Sequence, residues 1–203
     1  MADFIGEKRQ NRKEIKPLKY TLRELKGGDI SSLHRMYDSL SEESKLFFHP
    51  GFLGLNYISL GWLVAQPKLF LSAIKPSRRL LLKVFHRFIF LLLVAVNEKE
   101  EVLGFAYLDI RRQLHDGRFL AVLGTGIEDS YQGMGLGSGL MEELIKLGRE
   151  ENVGEITLTV LSCNIRAINM YMKYGFKQLG TVKDGDFWMG NKYDYIEMEL
   201  YLS

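Results

Sequence analysis

The stretch Ile127-Glu-Asp-Ser-Tyr-Gln132-Gly-Met-Gly135-Leu-Gly137-Ser-Gly-Leu-Met carries the clearest chemistry in the chain. An apolar strand pattern ends at its start and a helical apolar period begins at its close, so strand, glycine-rich loop and helix follow one another directly. Glycine lets the backbone take positive φ and lets a ligand approach closely. The first turn of a helix leaves amide N–H groups unpaired at the positive end of the macrodipole. Together these make an anion site suited to a pyrophosphate. Gly133, Gly135, Gly137 and Gly139 place four glycines within seven residues, more than a tight turn needs, since each lowers local stability. A dinucleotide fold would require a parallel strand-helix-strand unit with an acid about twenty residues further on. The strands before this loop read instead as a meander.

The elements that must hold the loop can be read from periodicity and punctuation. Leu18 to Leu25 reads as a strand ending at Gly27-Gly28. Asp29 or Ser31 can cap a helix carrying Ile30, Leu33, Met36, Tyr37 and Leu40. A second short helix starts at Ser41, where Ser-Glu-Glu resembles a capped first turn, and stops near His49-Pro50-Gly51. Ile89 to Val96, Val102 to Arg111 and Arg118 to Ile127 form an antiparallel meander, with a tight turn at His115-Asp116-Gly117. After the glycine loop, Leu140, Leu144, Ile145 and Leu147 share one helical face. Glu155 to Leu161 is a β-branched strand, and Ile165 to Tyr174 a helix closed by Gly175. Phe176 to Val182 and Tyr193 to Leu202 finish the chain as strands. The order β-α-α-β-β-β-α-β-α-β-β predicts an α+β, mixed three-layer domain.

Composition narrows the function classes. The 203 residues have 46% hydrophobic and 26% charged side chains, as a globular domain does. Lys+Arg is 27 against Asp+Glu 25, a net charge of +2 that gives no ground for a nucleic-acid partner. Cys163 is the single cysteine and there are four scattered histidines, so neither a disulfide framework nor a metal site is expected. The charged N-terminus lacks a secretory apolar run, and the protein is expected in the cytoplasm. Residues 1–17 read as a basic, mobile tail and 18–203 as a single domain.

Two sequence blocks, in order and on suitable elements, resemble the GNAT superfamily of acetyl-CoA-dependent N-acetyltransferases. Gln132-Gly-Met-Gly135-Leu-Gly137 fits that family's Q/R-x-x-G-x-G/A signature. Asn164-Ile-Arg-Ala167-Ile-Asn-Met-Tyr171-Met-Lys-Tyr174-Gly175-Phe176 is similar to its N-x-x-A-x-x-x-Y-x-x-x-G-F segment. The resemblance covers residues 19–49 and 88–203 and implies a central, mostly antiparallel sheet. It implies acetyl-CoA as cosubstrate, without a metal, and an amine acceptor that is a small molecule or a protein. Carried over by position, Gln132, Gly133, Gly135, Gly137 and Ser138 would line the pyrophosphate. The strand end at Ile127 would pair with the pantetheine arm, to which Asn164 would hydrogen-bond. Gly124 and Gly126 would make the bulge that opens the cofactor cleft. Tyr171, two helical turns after Asn164, would protonate the departing thiolate.

The chain departs from better-known relatives where the general base is concerned. Some carry a glutamate in the strand before the glycine loop, where this chain has Phe119-Leu-Ala121-Val-Leu; others carry one where it reads Thr157-Leu-Thr159-Val. Glu128, Asp109 and Asp116 remain as candidates beside a water molecule, and the base is left unassigned. Cys163 has no histidine close in sequence to activate it as a nucleophile. A non-catalytic acyl-CoA-binding or regulatory domain is the alternative reading.

Residues 51–87 form an insert relative to the family pattern. From Ser44 to Asn97 there is no Asp or Glu, while seven basic residues (Lys45, Lys68, Lys75, Arg78, Arg79, Lys83 and Arg87) share the stretch with Phe52, Tyr57, Trp62, Phe70 and Phe85. Its apolar runs are broken short of the ~20 residues that span a membrane. It could cover the core, make a homodimer contact, wall the acceptor cleft, or act as a membrane-surface or partner-binding module. Core coverage by a helical hairpin is the plainest of these readings; among the others, a lid or wall of the acceptor cleft is preferred.

Overall fold

The computed structural model describes residues 18–47 and 89–203. The expectations for the 1–17 tail and the 51–87 insert lie outside those residues. Seven strands form one sheet: β1 (Thr21–Glu24), β2 (Ile89–Val96), β3 (Val102–Gln113), β4 (Phe119–Ile127), β5 (Val153–Leu161), β6 (Lys177–Trp188) and β7 (Asn191–Tyr201). Their spatial order is β1-β2-β3-β4-β5-β7-β6, and every neighbouring pair is antiparallel except β4 with β5. The helices are α1 (Ile30–Asp38), α2 (Glu42–Phe47), α3 (Leu136–Glu150) and α4 (Ile165–Lys173). Among the described residues the expected element order is therefore observed. Among the described residues no helix is long and apolar enough to cross a membrane.

Two apolar clusters lie on opposite sides of the sheet. Leu136, Leu140, Met141, Leu144 and Ile145 of α3 pack with Leu93, Leu108, Ala121, Ile156 and Met198. On the other face Leu33 and Met36 of α1 pack with Val94, Val96, Phe105 and Tyr107. Alternation along β2 distributes its apolar residues between the two clusters.

Local chemistry differs from the sequence reading at two places. Asp29 makes no side-chain cap on α1. Its carboxylate instead accepts a fork of hydrogen bonds from Arg23 (2.7 and 3.0 Å) and one from the Lys26 amide (2.6 Å). The final hairpin also extends beyond its apolar segments, through Lys183-Asp-Gly-Asp186, with a register irregularity between Val182 and Asp186. A Cβ at Gly185 would overlap the Tyr195 ring, and Asp194 accepts from Lys183 Nζ at 2.5 Å. Polar edge residues do not alternate, so this part of the ladder has no hydrophobic signature.

The Arg23–Asp29 pair is nearly buried, with 15% and 7% of the two side chains exposed. Hydrogen bonding to Arg23 outweighs desolvation and holds the Asp29 carboxyl below its ordinary value of 3.8. Asp29→Ala is expected to destabilise the fold by about 3 kcal/mol, as for other broken buried pairs. Glu100→Gln should cost less than about 1 kcal/mol, because the Glu100 side chain, which also accepts from Arg23, is 66% exposed. Urea unfolding measures both. Because the folded pKa is depressed, the Asp29 contribution is present above pH 3.8 and is lost as pH falls below it, through the folded value.

Candidate active site

The parallel pairing of β4 with β5 stops early. Phe119–Val122 pair with Val153–Thr157, after which β4 continues on β3 alone and β5 on β7 alone. The strands thus part at Val122, and the β4 edge from Leu123 to Ile127 faces an opening. Gly124 and Gly126 are not bulged, because the β3–β4 register is continuous from Ala121 to Ile127. The register irregularities lie elsewhere, between Ile110 and Arg112 on β3 and between Phe119 and Leu120 at the start of β4. The two glycines instead admit aromatic rings from β3. A Cβ at Gly124 would overlap the Tyr107 ring and hydroxyl, and one at Gly126 would come within 2.8 Å of Phe105.

The opening leads into a cleft of about 800 Å³. One wall is Thr125–Ile127 and the glycine loop, a second is the first two turns of α4, and a third is α2. The loop turns through Gly135, whose φ of +89° is a left-handed conformation that L side chains rarely adopt. α3 starts at the next residue, and the first amide bonded back within the helix is that of Gly139, to the Gly135 carbonyl (3.0 Å). The amides of Leu136, Gly137 and Ser138 therefore point out of the helix end, where Gly137 and Ser138 line the cleft. The fold brings this left-handed turn and helix end to the mouth of the strand opening.

Asn164 stands at the head of α4, where its Oδ1 accepts from the Ala167 amide (3.1 Å). Its carboxamide oxygen is spent on capping, so the NH2 group is the part able to donate to a ligand. Tyr171 lines the same cleft and is only 6% exposed. Its ring packs 5.6 Å from that of Phe176. Desolvation alone raises its pKa, with no hydrogen bond contributing, so the phenol is a protonated donor facing the cleft. Ile127, Gln132, Gly133, Gly135, Gly137, Ser138, Asn164 and Tyr171 are all lining residues.

None of the three carboxylates considered as a base lines the cleft. Asp116 sits in the β3–β4 turn, accepting from the Arg118 amide and Nε at 3.0 and 2.7 Å. Asp109 is buried on β3 beside Arg111, and burial raises its pKa. Glu128 accepts from the Ser130 hydroxyl. The carboxylates that do line the cleft are Glu43 of α2 and Asp129, and Arg166 is the cation among the described lining residues. Sequence reading passed over Asp129, Ser44 and Arg166 because no spacing rule links residues so far apart in the chain. Cys163 is exposed and lines the cleft as a free thiol.

Gln132 uses its side chain structurally. Its Nε2 donates to the Ile127 carbonyl (3.2 Å), to Asp129 Oδ1 (3.0 Å) and to the Ser44 hydroxyl (3.1 Å). Its Oε1 accepts from Arg166 Nη1 at 2.9 Å. Burial would raise the Asp129 pKa, but hydrogen bonds from the Ser44 hydroxyl and the Ser41 amide prevail, leaving it below its ordinary value.

The sequence model described as the "Acetyltransferase (GNAT) family" matches residues 62–176, more than half of the chain. The chain belongs to the GNAT acetyltransferase family. The matched span includes β2 to α4, the glycine loop and the parting strands, and it begins within the 51–87 stretch. Solved structures share the fold at low identity. An N-acetyltransferase from Staphylococcus aureus Mu50 is 18% identical, with a TM-score of 0.66 over 91% of this chain and 99% of its own. The ribosomal-protein-alanine N-acetyltransferase of Brucella melitensis is 21% identical, with a TM-score of 0.61 over 90% and 99%. A phosphinothricin acetyltransferase of Sinorhizobium meliloti, in complex with AcCoA, is 21% identical, with a TM-score of 0.63 over 91% and 89%. No curated protein matches in sequence. As a GNAT acetyltransferase the protein is an enzyme of acetyl transfer, with the mostly antiparallel α+β fold expected from its sequence.

Proposed function

We propose that this acetyltransferase moves the acetyl group of acetyl-CoA to a primary amine by direct attack in a ternary complex. The acceptor class comprises a protein N-terminus, a lysine or a small amine. The observation that carries the reading is the meeting of the outward-facing amides of Gly137 and Ser138 with the unpaired β4 edge in one cleft. The first suits a pyrophosphate and the second an amide-rich arm laid along a strand. The ribosomal-protein-alanine and phosphinothricin enzymes of the same fold support an amine on the acceptor side.

In this reading acetyl-CoA supplies an activated thioester. A neutral amine forms a bond to its carbonyl carbon, the C–S bond breaks, and the amine gives up its proton to water. Tyr171 donates a hydrogen bond to the departing sulfur, and Asn164 holds the arm through its NH2 group. We place the reaction in the cytoplasm. Incubation with acetyl-CoA and a panel of amines should release free thiol above the no-acceptor rate for at least one amine class. Acetyl-CoA binding with no amine-dependent release from N-terminal peptides, lysine peptides or small amines would identify a binding domain instead.

A further inference from the structure

α2 walls the cleft through Glu43, Ser44 and Phe47, yet none of its six residues is buried. A helix this short has little stability of its own, and its apolar residues Leu46 and Phe47 are only partly buried. Among the described residues its polar ties to the sheet body run to Asp129 and to Gln132. Asp129 Oδ2 accepts from the Ser41 amide at 2.7 Å, and Asp129 Oδ1 accepts from the Ser44 hydroxyl. Ser41 in turn caps the helix, its hydroxyl accepting from the Ser44 amide (3.2 Å). The same Oδ1 accepts from Gln132 Nε2, which also reaches the Ser44 hydroxyl. Asp129 therefore stands between the glycine loop and α2.

We propose that Asp129 is the positioning residue of the acceptor side, fastening α2 to the glycine loop so that acetyl-CoA in the loop sets the acceptor wall. This rests on the acetyl-CoA reading above. Coupling of this kind is reciprocal, so an ordered α2 also favours the loop geometry that holds the cosubstrate. Phosphate contacts immobilise Gln132 through its backbone, Gln132 holds Asp129, and Asp129 holds Ser41 and Ser44.

Hydrogen exchange of the full chain with and without acetyl-CoA tests this. In the wild type, acetyl-CoA should slow exchange in segments 132–138 and 41–47, each by about tenfold or more, within the usual range of coupling between sites. In Asp129→Ala the slowing over 132–138 should persist and that over 41–47 should fall about fivefold or more, the Gln132–Ser44 hydrogen bond alone remaining. Ser44→Ala, which keeps the carboxylate and removes one donor, should lose part of the 41–47 effect and guards against a folding defect in the first variant. With an amine from the acceptor screen, Asp129→Ala should raise the amine KM about tenfold with kcat within about threefold, the pattern of lost binding rather than lost chemistry. Undiminished slowing over 41–47 in Asp129→Ala would overturn the proposal. So would a wild type in which the loop responds and α2 does not. A protein that binds no acetyl-CoA and slows in neither segment would overturn the cosubstrate reading itself.

Discussion

Gly135→Val is expected to abolish acetyl-CoA binding while leaving the domain folded. Gly135 holds φ at +89° at the turn into α3, and nothing lies within 4 Å of where a Cβ would project. The penalty is therefore backbone strain and obstruction of the ligand's approach, without a clash inside the protein. A β-branched residue forced into this region costs about 1–3 kcal/mol. The loop escapes that strain by rotating its amides away from the anion. Since about 1.4 kcal/mol is a tenfold change, that strain alone should lower affinity about fivefold to 150-fold, and obstruction of the phosphates adds to the loss. Gly137→Val makes the companion case without positive φ. Its Cβ would come 3.2 Å from the Met170 sulfur, an end that can swing aside, so the expected loss comes from crowding of the phosphates. Titration calorimetry with acetyl-CoA, beside thermal unfolding, measures both. Wild-type affinity in the two variants would show that the pyrophosphate lies elsewhere.

Tyr171→Phe should lower kcat with acetyl-CoA affinity nearly unchanged. The substitution keeps the ring packed, tilted, against Phe176 and removes only the hydroxyl. General acid catalysis contributes about 10²–10⁴-fold, and because a thiolate leaves readily the expected loss is about tenfold to a hundredfold. Burial raises the phenol above its ordinary value of 10.0, so it stays protonated at neutral pH. The wild-type rate should accordingly show no downturn from this group below pH 10, and any titration near neutrality belongs to the amine or its base. A raised pKa also means that Tyr171 stabilises the thiolate by hydrogen bonding more readily than by complete proton transfer. Equal turnover of Tyr171→Phe and wild type across pH would leave the residue a packing role.

Where chemistry depends on neighbours along the chain, the sequence was legible. The glycine loop, the helix it opens and the Gly175 stop each lie within a few residues of their partners. The Ser41 cap of α2 was readable for the same reason. Gly124 and Gly126 were noticed as unusual but assigned a bulge, whereas their lack of a Cβ answers to Tyr107 and Phe105 on β3. A cross-strand ring leaves no mark in the spacing of the strand it covers. The base candidates failed likewise: Asp109 and Asp116 sit on or beside the cleft strands in sequence, but side-chain direction and turn geometry keep both out of its lining.

By itself the sequence determined the order and type of the elements, through hydrophobic period, and the family, through two motifs with the right interval between them. It also determined that a glycine turn with free helix-end amides would form, because positive φ and helix-end amides are local properties. Only the tertiary structure decided where the cleft opens, since that depends on β4 and β5 losing their pairing after Val122. It also decided that Asp129 fastens a helix 88 residues away in sequence from its Ser41 contact. Such contacts arise when sheet assembly brings distant segments together, and their energy depends on distance and burial, which no short-range pattern in the chain encodes.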